Sequence, residues 1–254
     1  MRILLAIPVY NEERYLRRVL SEVRKYIDDI LVVDDGSTDG TPGILAEQPD
    51  IAVIRHARNR GYGQSLIDAF AYAARRDYDW IITMDCDEQH EPCRIPDFVA
   101  AAAADDADVI SGSRYMRGTP ADDLPPPDRR RINAQITQLI NEVLGLPITD
   151  AFCGYKAYRV SALRRLRLTE TGYAFPIPFW VQAVRAKLRI REISVRLIYN
   201  DPHRSFGGTL DDPAIRLQHY LDVFYRELGD AAFSADAKTA RSDAACCCGP
   251  CHKP

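Results

Sequence analysis

The sequence predicts a single α/β domain built on a mainly parallel, Rossmann-like sheet flanked by helices. Three observations carry that expectation. Short β-branched runs alternate with longer amphipathic stretches over the first 112 residues, as strands joined by helical crossovers do. The runs Ile3-Leu4-Leu5-Ala6-Ile7 and Ile30-Leu31-Val32-Val33 are apolar at consecutive positions, as strands buried on both faces require. The chain has 254 residues, 46% hydrophobic and 27% charged, which suits one large domain or at most two small ones. No composition shift marks a linker.

Element by element, 2–7 reads as the first strand and 12–26 as a helix, followed by strands at 30–34 and 51–55. A helix over 63–76 leads to a strand at 80–84, then a helix over 94–104 and a strand at 109–111. The stretch 118–128 holds four prolines and three aspartates and reads as a surface loop. Over 129–144, Ile132, Ile136, Leu139, Ile140 and Val143 fall on one side of a helix. A short strand near Tyr158, a helix over 179–187 and a strand over 190–197 follow. The last helix, 213–228, spaces Leu217, Leu221, Phe224 and Leu228 as a core-facing stripe. From residue 229 the chain is Ala, Ser, Asp and Lys, with too little apolar surface to offset ordering, so a disordered tail is expected. The domain is thus 1–228, with 229–254 as a Cys-rich tail.

Composition narrows the function. A formal net charge of −3 argues against a nucleic-acid partner held by bulk positive charge. No run approaches the roughly 18 to 20 apolar residues needed to cross a bilayer. The first strand runs directly into Pro8-Val9-Tyr10-Asn11-Glu12-Glu13 with no small-residue cleavage site, so export is not expected. Of seven cysteines, Cys86, Cys93 and Cys153 are scattered and Cys246, Cys247, Cys248 and Cys251 crowd the end, unlike an oxidised scaffold. The expected location is therefore the cytoplasm. Residues 129–167 carry eight basic side chains against two acidic ones, which fits a solvated face or a dock for an anionic membrane.

Four polar constellations sit at predicted strand ends, where a doubly wound sheet opens its ligand crevice. They are Pro8–Glu12, the run Asp34-Asp35-Gly36-Ser37-Thr38-Asp39-Gly40, the run Asp85-Cys86-Asp87-Glu88-Gln89-His90, and Gly112-Ser113-Arg114-Tyr115. Carboxylates closing three strands repel one another unless a cation or donors fill the gap, which points to a metal and an anionic ligand. Where a strand turns into a loop, Asp85 and Asp87 can both reach one hard cation, Mg²⁺ or Mn²⁺, that also binds substrate phosphates. There is no P-loop, no full dinucleotide fingerprint, no Gly-x-Ser-x-Gly elbow and no His-Glu-x-x-His.

Taken together, IPVYNEE (7–13), VVDDGSTDGT (32–41), RNRGYGQSL (58–66), TMDCDEQHEP (83–92), GSRY (112–115) and DAFCGYKAYR (150–159) resemble a family 2 glycosyltransferase. Within that family the chain is most similar to the dolichol- or polyprenol-phosphate mannosyltransferases, across roughly residues 1–210. The resemblance implies the GT-A fold, with a nucleotide-sugar-binding half over 1–112 and an acceptor half over 113–228. It implies that Pro8, Tyr10, Glu12 and Asp35 line the nucleotide pocket with Asp34 in support. It places Asp85 near the ribose and metal, with Asp87 and Gln89 completing the metal site. Arg114, and one of Arg129 or Arg130, would hold the acceptor phosphate. Arg204 falls in a loop that closes on the diphosphate in the family, although Leu210 stands where that loop has a lysine.

The implied reaction is metal-dependent, inverting transfer of a hexose from a nucleoside-diphosphate sugar, GDP-mannose or a UDP-hexose, to a polyprenyl or dolichyl phosphate. Asp87 and Arg114 are the expected catalytic residues. The protein would then sit peripherally on the cytoplasmic face of a membrane, and a separate membrane-anchor subunit is compatible with that. Two alternatives are a family 2 enzyme with a hydroxyl acceptor and a nucleotide-sugar-binding protein without transfer activity. A soluble nucleotidyltransferase lacks support, because no glycine-rich, lysine-bearing donor loop is present.

Overall fold

The computed structural model describes residues 1–118, 125–199 and 207–243. The strands are β1 (Ile3–Val9), β2 (Ile30–Asp34), β3 (Ala52–Arg55), β4 (Trp80–Thr83), β5 (Val109–Ser113), β6 (Lys156–Arg159) and β7 (Ile190–Ser194). They form one sheet in the order β3-β2-β1-β4-β6-β5-β7, with β6 antiparallel to both neighbours and every other pairing parallel. The chain builds outward from β1 to β3 and then returns to β4 on the other side of β1. The carboxyl ends of β1 and β4 therefore flank the switch point where such sheets bind ligands.

The helices are α1 (Leu16–Val23), α2 (Thr41–Ala46), α3 (Tyr62–Arg75), α4 (Ile95–Ala103), α5 (Pro127–Leu144), α6 (Val160–Leu163), α7 (Pro176–Arg185) and α8 (Pro213–Asp243). They cover both faces, giving one apolar layer under α3, α5, α7 and α8 and a second under α1, α2 and α4. All five residues of β2 and all four of β4 are buried; the apolar runs 30–33 and 80–82 suit strands covered on both faces, and polar Asp34 and Thr83 end them. Pro8 is tolerated inside β1 for a geometric reason. Leu5 N–H and Val9 C=O bond toward β2 and Ala6 C=O toward β4, so the alternation turns the Pro8 nitrogen to the β4 side. There β4 has already ended, so no ladder bond is lost.

The short α2 and α6 are elements the sequence pattern did not reveal, and α7 starts three residues before the expected 179. Its Pro176 and Pro178 lie in the first turn, where a missing N–H costs nothing. The boundary at 112/113 between the two expected halves of the single domain falls within β5. Helix α8 continues past 228 to Asp243, so helix occupies the first part of the stretch expected to be disordered. Ala231, Ala232, Ala235, Ala237 and Ala240 account for it, because alanine has the highest helix propensity. The cysteine cluster lies outside the described residues.

The eight basic residues of 129–167 do not form one face. Antiparallel β6 carries the chain from buried Lys156 to Arg159 at the opposite end of the sheet. There Arg159 Nε donates to Asp108 (3.1 Å), and Arg189 Nη2 donates to the same carboxylate (2.9 Å). Hydrogen bonds from Arg189, opposed by partial burial and helped by the Arg159 charge, lower the Asp108 carboxyl to about 2. A carboxylate depressed on folding contributes stability above its unfolded value, about pH 4, and loses it as pH falls toward its folded value. Asp108→Asn is expected to flatten the fall in stability between about pH 4 and pH 2, read by urea unfolding at each pH. An unchanged acid limb would show that this cluster contributes nothing to acid sensitivity.

Candidate active site

One cavity of about 690 Å³ opens at the carboxyl ends of β1, β2, β4 and β5. From the β1 end come Pro8, Tyr10 and Glu12, all on its wall. Glu12 is buried, and its backbone N–H donates to Thr41 Oγ1 at 2.9 Å. From the β2 end comes Asp35, held by a ring of donors. Its Oδ1 accepts the Arg60 N–H (2.8 Å) and lies 2.6 Å from His56 Nδ1, while Oδ2 accepts the Gly61 N–H (2.8 Å). His56 Nε2 is in turn 2.9 Å from Asp68 Oδ2, so the ring bridges two carboxylates. Asp34 is not brought to the cavity. It is fully buried on the other side of β2, where Oδ1 accepts the Ser37 N–H (2.8 Å) and Oδ2 is 3.2 Å from Arg55 Nε.

From the β4 end come Asp85, Asp87 and Gln89. Asp87 is buried, and its Oδ1 accepts the Gln89 N–H at 3.0 Å. Asp85 Oδ1 accepts the Tyr62 hydroxyl (3.2 Å), and the Asp85 N–H donates to His90 Nδ1 (3.0 Å). Burial disfavours a charged His90, but Asp85, Cys153 and Asp87 together more than offset it and raise the ring's pKa. Burial and the Asp85 carboxylate push the Tyr62 phenol well above its ordinary value, so it remains a donor. Gly154 makes room for Asp85. A Cβ there would stand 2.6 Å from Asp85 Oδ2 and 2.9 Å from the Tyr62 hydroxyl.

Asp85, Asp87 and Gln89 offer only oxygen donors of the kind Mg²⁺ and Mn²⁺ take, so the residues fit a hard divalent cation. Among the described residues no three His, Cys, Asp or Glu side chains are placed to hold an ion unaided.

The far wall is cationic and aromatic. Arg114, past the end of β5, reaches the cavity with its side chain one-fifth exposed. Its Nε and Nη2 donate to the two oxygens of buried Asp150 at 2.7 and 3.0 Å. Of the two arginines left open at the start of α5, Arg129 lines the cavity with its guanidinium 5.8 Å from the Tyr199 ring, and Arg130 is exposed outside it. Arg204 lies outside the described residues. Sequence reasoning missed Asp150, Tyr173, Arg216 and Tyr220. Tyr173 stacks on Tyr62 (6.0 Å between centroids), and Tyr220 stacks on Phe152 (5.0 Å). Burial pushes the Tyr220 phenol up to about 12. Arg216 is buried in α8 yet lines the cavity, donating to Asp128 at 2.7 Å.

A doubly wound sheet with an antiparallel strand inserted beside β4, and an Asp-x-Asp at its switch point, is the architecture of the GT-A glycosyltransferases. Glucosyl-3-phosphoglycerate synthase from Mycobacterium tuberculosis, solved with Mn²⁺, UDP-glucose and phosphoglyceric acid, shares it. The likeness has a TM-score of 0.68 and 18% identity, over 90% of this chain and 80% of that one. The glycosyl transferase family 2 model matches residues 5–167, and the chain belongs to that family and is a hexosyltransferase. An undecaprenyl-phosphate mannosyltransferase from Micrococcus luteus is 31% identical over 231 residues, 87% of this chain and 94% of the relative. A polyprenol monophosphomannose synthase from Mycolicibacterium smegmatis is 32% identical over 206 residues, 76% of each.

Proposed function

We propose that this enzyme moves mannose or glucose from a nucleoside-diphosphate sugar, GDP-mannose or a UDP-hexose, to a polyprenyl or dolichyl phosphate, with inversion. The observation that carries the reading is one cavity holding both an oxygen-donor cluster, Asp85, Asp87 and Gln89, and two arginines, Arg114 and Arg129. The names of the relatives from Micrococcus luteus and Mycolicibacterium smegmatis, both of polyprenyl-phosphate enzymes, support the acceptor class.

Pro8, Tyr10, Glu12 and Asp35 form the nucleoside side. When bound, a divalent cation held by Asp85, Asp87 and Gln89 supplies charge neutralisation to the diphosphate leaving group. Arg114 and Arg129 orient the acceptor phosphate by charge-assisted hydrogen bonds. A phosphate oxygen attacks the anomeric carbon as the bond from that carbon to the diphosphate oxygen breaks, and the bonding pair leaves with the nucleoside diphosphate. The acceptor is already anionic, so no general base is required.

No helix among the described residues is long and apolar enough to cross a membrane. A lipid acceptor nevertheless brings the enzyme to a membrane surface, and we place it peripherally on the cytoplasmic face, with or without a separate anchor subunit. A screen of GDP-mannose, UDP-glucose and other sugar nucleotides against farnesyl phosphate, with mass detection, tests the reading. A prenyl-phosphate hexose is the expected product. Transfer only to hydroxyl acceptors would replace this reading with another.

A further inference from the structure

We infer that Asp150 is a positioning residue that fixes the plane of the Arg114 guanidinium, so that its remaining N–H groups form a preset fork for the acceptor phosphate. The inference rests on the acceptor reading above and concerns a residue that touches no substrate itself.

Asp150 is fully buried behind Arg114 and is held on every side. Its Oδ2 accepts the Arg114 Nε–H at 2.7 Å and, more distantly, the Arg114 backbone N–H at 3.3 Å. Its Oδ1 accepts Arg114 Nη2 (3.0 Å), Asn133 Nδ2 (3.2 Å) and the Phe152 N–H (3.2 Å). The backbone beneath is pinned as well. Glu192 accepts the N–H groups of Thr149 (2.9 Å) and Asp150 (3.2 Å), and Thr137 Oγ1 accepts that of Ala151 (3.2 Å). Burial alone would raise the Asp150 carboxyl, but Arg114, Lys156 and Asn133 more than offset it and keep it ionised.

The partner end is incomplete by contrast. A guanidinium carries five N–H donors in a rigid plane. Asp150 takes two of Arg114's, and the Tyr115 ring lies 5.6 Å from Cζ. Three donors remain on a side chain that lines the cavity. At a cavity wall these donors are open to water at no desolvation cost, and are therefore available to an anionic ligand that enters. A carboxylate gripping Nε and Nη2 also removes the rotational freedom a long arginine would otherwise lose on meeting its ligand, which is the physical basis of preorganisation.

Asp150→Asn tests this, because an amide presents a donor to one of the two arginine donors it must face. Turnover with farnesyl phosphate is expected to fall about 30-fold, with GDP and UDP affinity unchanged within about twofold. In an Arg114→Ala background the same change should add nothing, since the residue acts through Arg114. Wild-type turnover, or an equal further loss in that background, would overturn the inference. Should Asp150→Asn fail to fold, Arg114→Lys decides, because it keeps the charge and loses the fork. Near-wild-type turnover for that variant would overturn the clamp, and a loss at unchanged nucleotide affinity would support it. An acceptor-independent readout is the slowly exchanging Arg114 Nε–H signal in nitrogen-15 spectra, assigned by its absence in Arg114→Ala. A fast-exchanging wild-type signal would refute the clamp, whereas lack of transfer to farnesyl phosphate would refute only the acceptor class.

Discussion

Asp87→Ala is expected to reduce sugar transfer at least about a thousandfold, because metal stabilisation of transition-state charge is worth several kcal/mol and about 1.4 kcal/mol is tenfold. The fold should survive. Asp87 lies past the end of β4 and outside both apolar layers, so its loss opens no cavity in the core. Thermal unfolding followed by circular dichroism should therefore change little while activity disappears. The wild-type enzyme should lose activity in EDTA and regain it with Mg²⁺ or Mn²⁺. Full activity of the variant, together with indifference to EDTA, would remove the cation from the reaction.

Arg114→Ala should cut turnover with a prenyl phosphate about 100- to 1,000-fold, the range seen when one preorganised transition-state donor is removed. Nucleoside diphosphate affinity should hardly move, because Asp35, Asp85 and Asp87 sit at other strand ends. Stability will not be spared to the same degree. Asp150 is left as a buried carboxylate without its cation, a situation that costs about 3 to 5 kcal/mol. Asn133, the Phe152 N–H and nearby Lys156 still face it, which puts the expected loss at the low end, about 3 kcal/mol. Assays belong well below the variant's unfolding temperature. Equal losses of turnover and nucleotide affinity would assign Arg114 to the donor side.

Most of the site was legible because its residues mark strand ends, and strand ends are written in apolar runs that stop at Asp, Asn or Gly. Asp34 shows the limit of reading by motif alone. Adjacent residues of a strand point to opposite faces, so of Asp34 and Asp35 only one can face the crevice. Sequence does not say which. With Arg129 and Arg130 the signal was present: Arg129 is three residues before Ile132, on the apolar side of α5, while Arg130 is turned away. Arg216 was hidden by the leucines beside it. The side of α8 that packs inward is Arg216, Tyr220, Val223 and Phe224, and Leu217 and Leu221 sit at its margin. A charged residue leading an apolar stripe reads as surface until a cavity is known to lie beneath it. Helices α2 and α6, six and four residues long, are too short to establish a period.

The antiparallel β6 between β4 and β5 has a consequence for how the chain is made. As it leaves the ribosome, β1 to β4 can pair with one another in order of synthesis. Strand β5 follows, but both its neighbours, β6 and β7, are still to come. Until about residue 159 is exposed, β4 ends the growing sheet with Ile81 and Ile82 uncovered, and β5 waits beside it without a partner. Unpaired apolar strand edges are where nascent chains associate with one another, and pairings distant in sequence are slow to form. Docking of β5, β6 and β7 as a group therefore waits on the second half of the chain. Because the Arg114–Asp150 pair joins the end of β5 to the approach to β6, the acceptor side of the site is assembled in that same step.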